Sequence, residues 1–403
     1  MHEADARDAD RLRAEPERGR DAPADAGRLR GAEPCDGWSP VWTGLARVGG
    51  LLPPPGIADT DRWSLLRGRQ LPPGRGRTDG SAIGTAGVRS PALGPRFDRD
   101  VPAGGYSWWY VDAISDDKTY GLTIIAFIGS VFSPYYRASG RGCPTDHCAI
   151  NVALTAPGGV IGGNRWTMTE RGEASMSRDA TSFAVGPSAL TWDGDALTID
   201  IDERCATLPF PVRGRVRVVP QVSGTTAFAL DAARRHQWHP LAPKARVEAV
   251  FDSPGVRWSG NGYFDSNSGA EPLEDGFVDW QWSRAHLANG DVGVIYEGDR
   301  RDGSDFAFAL RCARDGHWTD EPLPPRQHLL PTPFLMRRST RVDAGHRARV
   351  TKTWLDAPFY ARSALTTHLF GQAGEGVHES LSLDRLVNPV VQRMLPYRMP
   401  RVA

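Results

Sequence analysis

Two segments carry residue types that suit proton chemistry. "HQWHP", residues 236–240, supplies His236, Trp238 and His239, and "NGYFDSNSG", residues 261–269, supplies Tyr263, Phe264 and Asp265. A carboxyl group set among rings is a candidate acid, because apolar surroundings disfavour its charged form. In a strand, side chains two apart share a face, so His236 falls with Trp238 and Tyr263 falls with Asp265. On adjacent strands or rims of a barrel, one inward face then carries all four. The plain alternative is that the aromatics are core and that Asp265, followed by Ser266 and Asn267, caps a turn. Spacing alone leaves both readings open, and it leaves open which of His236 and His239 faces a pocket.

Other chemistry is less well supported. "CPTDHC" brings Cys143, His147 and Cys148 close together, but a structural zinc site needs a second Cys or His pair at short spacing, and no neighbouring segment supplies one. A loop with free thiols is the expectation there, and no metal is assigned. No GxSxG nucleophile elbow and no HExxH helix occurs. "DWQWS" places Trp280 and Trp282 on one face, and "SWWYVD" carries Trp108, Trp109, Tyr110 and Asp112. Core packing is the first reading for both, and pocket lining the second.

These residues must be positioned by a chain of 403 residues with 48 basic and 48 acidic side chains. No net field recruits nucleic acid or an acidic membrane. The five cysteines, Cys35, Cys143, Cys148, Cys205 and Cys312, do not make a disulfide scaffold. The opening residues have no apolar stretch of secretory type, so export is not indicated. "GLTIIAFIGSVFSPYY", residues 121–136, is the longest uncharged run, and it is too short and too broken by Gly129 and Pro134 to span a bilayer.

Residues 1–95, rich in Arg, Asp, Ala, Gly and Pro, read as a disordered extension. From about 97 onward, aromatic and β-branched runs alternate with Gly and Asp turns. Ser115–Lys118 marks a hairpin turn, and Asp193-Gly194 marks a tight one. Helical periodicity is confined to "SLSLDRLVNPVVQRML" near the C-terminus, and no nucleotide-binding glycine turn appears. The fold class is all-β: two consecutive antiparallel β-barrel or sandwich units. The boundaries are 1–95 for the extension, 96–240 and 241–390 for the β units, and 391–403 for a tail. The break between units is set near "RRHQWHPLAPKA", residues 234–245, where two prolines interrupt the strand texture.

"GGYSWWYVDA", "HQWHPLAP", "NGYFDSNSGAEPLEDGFVDWQWSR" and "PFYARSALTT" together resemble the carotenoid 1,2-hydratases, or hydroxyneurosporene synthases, of photosynthetic bacteria. The resemblance runs from about residue 97 to about 390 and leaves the first 95 residues outside. It implies two lipocalin-like units and addition of water, without a cofactor, to the terminal 1,2 double bond of an acyclic carotenoid such as neurosporene or lycopene. It places the functional acid on Asp265 and the other functional positions on His236, Trp238 and Tyr263. The chemistry suits those residues. Protonation at C2 gives a tertiary cation at C1, which needs a neutral carboxyl held by burial against Tyr263, Phe264 and Trp238, and ring faces to stabilise the cation. His236 would orient Asp265, share in cation stabilisation, or take the proton from water. The substrate's insolubility implies a protein attached peripherally to the membrane, on the cytoplasmic side. A non-catalytic barrel carrier of an apolar pigment or lipid is the second reading. A carbohydrate-active protein, with Asp279 or Asp252 as a second carboxylate, is the third.

Overall fold

The computed structural model describes residues 88–89, 94–159 and 163–402. Its strands form two large sheets, one following the other in sequence, in the all-β organisation expected. The disordered extension assigned to 1–95 falls almost wholly outside the described residues. Within it, the two-residue strand Val88–Arg89 pairs with Thr226–Ala229.

The first sheet is built from strands between Tyr106 and Gly269. Its centre is a run of neighbours: Gly121–Ile128, Tyr106–Ser115, Val256–Gly269, His236–Ser253 and Pro211–Val222. The hairpin expected at Ser115–Lys118 forms, with Lys118 at φ +60° in its turn. Asp193-Gly194 likewise turns between Ser188–Trp192 and Leu197–Arg204, with the Asp193 carboxylate accepting from the backbone N–H of Asp195 and Ala196. The second sheet runs Trp318–Asp320, Asp305–Cys312, Val292–Arg300, Phe277–Leu287, Gln372–Ser382, Tyr360–Leu369, Arg349–Asp356.

The chain passes from the first sheet to the second between Gly269 and Phe277, whereas the sequence reading set the break at 240/241. His236–Ser253 continues as one strand through Pro240 and Pro243. Its register against Val256–Gly269 jumps between His239 and Ala242 and again between Ala242 and Ala245. Both prolines sit in those bulges, where a missing N–H costs the ladder nothing. At the C-terminus, Leu383–Leu386 and Pro389–Met394 are two short helices rather than one, divided at Asn388, whose side chain caps the second by accepting from the Val390 N–H. The residues assigned to a tail include Arg401–Val402, which pair in parallel with Glu170 and Arg171 in the first sheet.

Strand alternation divides the apolar side chains of the first sheet between two cores. Trp109, Val111 and Phe264 belong to the cluster enclosed by the first unit. Tyr106, Trp108, Tyr110, Trp238 and Tyr263 belong to a second cluster, shared with Trp280, Trp282, Tyr296 and Phe306 of the second sheet. Removing an aromatic side chain of 150–250 Å² from water contributes roughly 4–6 kcal/mol as an upper bound. The shared cluster is therefore a major source of cohesion, and the candidate residues sit in it.

Candidate active site

The strand Val256–Gly269 lies between Tyr106–Ser115 and His236–Ser253. Register places Asp265 opposite Tyr110, Asn267 between Trp108 and Trp238, and Tyr263 opposite Asp112. Residues directly opposite share a face. His236, Trp238, Tyr263 and Asp265 are thus brought to one face, as the period-two spacing requires. That face looks toward the second sheet. Phe264 points the other way, into the first unit's core, so it does not shield the Asp265 carboxyl as expected.

Asp265 is buried, at 4% exposure. Its Oδ2 accepts two hydrogen bonds, from the Tyr263 hydroxyl at 2.7 Å and from the Trp238 indole N–H at 2.8 Å. The same indole N–H lies 3.1 Å from the Tyr263 oxygen. Oδ1 is equally buried and has no hydrogen-bond partner in the protein. Burial pushes the Asp265 carboxyl up to about 8. Tyr263 and Trp238 resist that rise, and the nearby acids Glu379 and Asp112 add to it. At pH 7, about nine carboxyls in ten then carry their proton. One oxygen is held in place and the other is free to donate, which is the arrangement of a general acid.

A narrow cavity of about 40 Å³ adjoins this carboxyl. Trp108, Tyr110, Trp238, Trp280, Trp282 and Tyr296 line it with Asp265, Asn267 and Glu379. Tyr296, Trp282, Glu379 and Arg362 form one row across the second sheet, each opposite the next. That row closes over Asp265, Tyr110 and Trp238. The tryptophans of "DWQWS" and Trp108 are therefore both packing and wall. Trp109 is core alone.

His236 is placed differently from Asp265's other companions. Its Nδ1 is 2.9 Å from the Tyr106 hydroxyl and its Nε2 is 3.1 Å from Glu271. Both ring nitrogens are engaged away from Asp265, and burial lowers the imidazole's pKa. Gly269 and Gly276 make room for it. A Cβ at Gly269 would collide with Tyr106 and meet His236 at 2.8 Å, and one at Gly276 would meet His236 at 2.6 Å. Tyr106 in turn stacks on Trp108 at 4.9 Å, so His236 braces a cavity wall. His239 faces the opposite side of the strand. Burial pushes it down to about 4, and its Nε2 finds no partner.

Sequence reasoning missed Glu379, Tyr296 and Asn267. The one available signal for Glu379 was a carboxylate inside "VHESL", a run with no Gly, Pro, Asn or Asp. Asp279 lines a separate pocket with Glu297 and Arg338, and Asp252 is exposed, so neither is the carboxylate facing Asp265.

Beyond Tyr263 lies a buried ion pair, Arg284 with Asp112. The Arg284 guanidinium sits over the Tyr263 ring at 5.5 Å, and the Tyr110 oxygen lies 3.1 Å from Asp112 Oδ2. In "CPTDHC", His147 bonds Glu170 at 2.7 Å and Cys148 is a buried free thiol. Cys143 is disulfide-bonded, which corrects the expectation of free thiols in that loop. Among the described residues, no group of three or more His, Cys, Asp or Glu is placed to hold a metal ion.

Residues 124–403 match the family described as "Carotenoid hydratase CrtC". The acyclic carotenoid 1,2-hydratase of Thiocapsa roseopersicina is 50% identical over 384 residues, covering 94% of this chain and 93% of that protein. The acyclic carotenoid 1,2-hydratase of Rubrivivax gelatinosus is 46% identical over 389 residues, covering 95% of each. The crystal structure of CghA with Sch210972 aligns with a TM-score of 0.46 and 15% identity, over 75% of this chain and 94% of that one. A match over 94% of 403 residues leaves about 24 outside, so most of residues 1–95 lie within the aligned span, contrary to the sequence reading.

Proposed function

The chain belongs to the carotenoid hydratase family, and on that premise we propose that it adds water across the terminal C1=C2 bond of an acyclic carotenoid, with Asp265 as the acid. The observation that carries the mechanism is the state of one carboxyl: buried, pushed up to about 8, anchored at Oδ2, without a partner at Oδ1, and part of the wall of a ring-lined cavity.

Water is too weak an acid to protonate an isolated alkene at neutral pH. A neutral Asp265 transfers its Oδ1 proton to C2, and the electron pair of the double bond forms the C2–H bond. The tertiary cation left at C1 faces indole and phenol rings. A desolvated cation over an aromatic face gains about 2 kcal/mol. Two or three rings lower the barrier by several kcal/mol, on the order of a thousandfold. Tyr263 and Trp238 favour the Asp265 carboxylate that remains, by the same hydrogen bonds that fix its geometry. Water then closes the C1–O bond. Alkene plus water gives alcohol with no change of redox state, so the sequence of bonds closes without a cofactor.

The substrate must come from a membrane. Leu330, Phe334 and Leu335 are exposed on one segment, and Arg385 ties that segment to the C-terminal helices through the Phe334 and Leu335 carbonyls. Val390 and Met394, on the second of those helices, are exposed as well. These side chains support peripheral attachment to the bilayer surface, with the cytoplasmic face as the proposed side. No helix among the described residues is long and apolar enough to cross a membrane.

Asp265→Asn keeps the side chain's shape and removes the transferable proton. Given lycopene and neurosporene in detergent, the variant should form no 1-hydroxy product detectable by chromatography while still binding pigment. Hydration near the wild-type rate refutes Asp265 as the acid, and bound pigment without product from the wild type itself favours a carrier.

A further inference from the structure

The mechanism above leaves one proton unassigned: the one that the attacking water must lose. We propose that Glu379 is the base that takes it, an inference that rests on Asp265 being the acid. Glu379 comes from the second sheet and lines the same cavity as Asp265, which comes from the first. A proton donor on one wall and an acceptor on the other leave the cation between them, open to water from the side opposite the acid.

The surroundings of Glu379 suit a base rather than a second acid. Its Oε1 accepts from the Tyr110 hydroxyl at 2.7 Å and lies 3.3 Å from the Arg362 Nε, and the Tyr360 hydroxyl also bonds to it. Each of these favours the carboxylate. Burial works the other way and leaves the Glu379 carboxyl above its ordinary range, opposed by Arg362, Tyr110 and Tyr360, with Asp112 adding to the rise. A carboxylate flanked by a guanidinium and two phenols, yet more basic than one in water, is a competent acceptor. No comparable set surrounds Asp265, whose two donors are both neutral.

The step balances as follows. The water oxygen supplies the electron pair of the new C1–O bond, one water O–H bond breaks, and its proton goes to the Glu379 carboxylate. The proton then returns to the Asp265 carboxylate through water in the cavity both residues line, which restores the starting state with no oxidant or reductant.

The protonation of C2 and the deprotonation of water can be separated in D₂O. The wild type, Glu379→Gln, Glu379→Asp and Asp265→Asn are incubated with lycopene, and both the 1-hydroxy product and the deuterium at C2 of recovered substrate are measured. Without its base, the Glu379→Gln enzyme still protonates C2, but the cation reverts. Hydration should fall by about 10²-fold or more while deuterium accumulates in recovered substrate. Glu379→Asp keeps the charge one methylene short, and should retain part of the hydration with a raised ratio of exchange to hydration. Hydration by Glu379→Gln within about threefold of the wild type overturns the proposal. So does loss of exchange together with hydration, or a wild-type ratio in Glu379→Asp should the Gln variant not fold. Asp265→Asn should show neither product nor exchange; if it shows both, the assignment of the acid fails instead.

Discussion

Tyr263→Phe should move the alkaline limit of activity upward by about one pH unit. The change removes only the hydroxyl that donates to Asp265 Oδ2 at 2.7 Å and keeps the ring that packs against Trp282 at 5.3 Å. A hydrogen bond to a charged acceptor is worth about 1.5–3 kcal/mol, roughly twice its value to a neutral one. The differential effect on the ionised carboxyl is then about 1–1.5 kcal/mol, or about one pKa unit. The sign follows from which form is favoured: losing a donor disfavours the carboxylate, so the carboxyl rises from about 8 toward about 9. Because the proposed mechanism uses the protonated form, the variant should stay competent where the wild type has ionised. At pH 9, about one wild-type carboxyl in eleven would be protonated against about half in the variant, a roughly fivefold gain relative to the ratio at pH 6. The Tyr263 phenol itself is pushed far above 10 by burial and does not titrate in this window. The assay is kcat/KM for lycopene hydration from pH 6 to 10 in detergent, which reports the free enzyme's acid. An alkaline limb that stays in place or moves down refutes the argument that Tyr263 holds Oδ2 against ionisation.

Asp265→Asn should also stabilise the fold, by an amount that grows with pH. The native carboxyl sits at about 8 against an ordinary 3.8, so between those values the folded chain binds a proton that the unfolded chain has lost, and wild-type stability falls as pH rises. The upper bound is about 4 kcal/mol at pH 7 and about 6 kcal/mol above pH 8. Thermal unfolding at pH 5, 7 and 9 should show a gap between variant and wild type that widens, and a constant gap contradicts the assigned protonation. At the surface, replacing Leu330, Phe334 and Leu335 together by Ser should reduce co-sedimentation with phospholipid vesicles and leave hydration of detergent-solubilised carotenoid intact. Unchanged sedimentation would place the membrane contact elsewhere.

What could be read from the sequence is what the strand pleat alone determines. The pairs His236/Trp238 and Tyr263/Asp265 share a face because period two is a local property, and the hairpin turns at Ser115–Lys118 and Asp193-Gly194 are local as well. The same rule applied one residue further would have sent Phe264 to the opposite side. The observed passage between sheets lies beyond the expected boundary at 240/241 because bulges absorb Pro240 and Pro243 without ending the strand. Which face of the first sheet is covered, and by what, depends on packing between sheets, and no local pattern encodes it. Glu379, Tyr296 and Trp282 reach Asp265 only because Gln372–Ser382, Phe277–Leu287 and Val292–Arg300 are neighbours in the second sheet and that sheet lies over the first. The legible part of the site is thus the Asp265 carboxyl with its two donors, all on adjacent strands of one sheet. The wall that desolvates it comes from elsewhere in the chain. Desolvation is also the largest contribution to its raised pKa. The residue types that make Asp265 a candidate acid could be named in advance, but the burial that raises its pKa belongs to the tertiary structure.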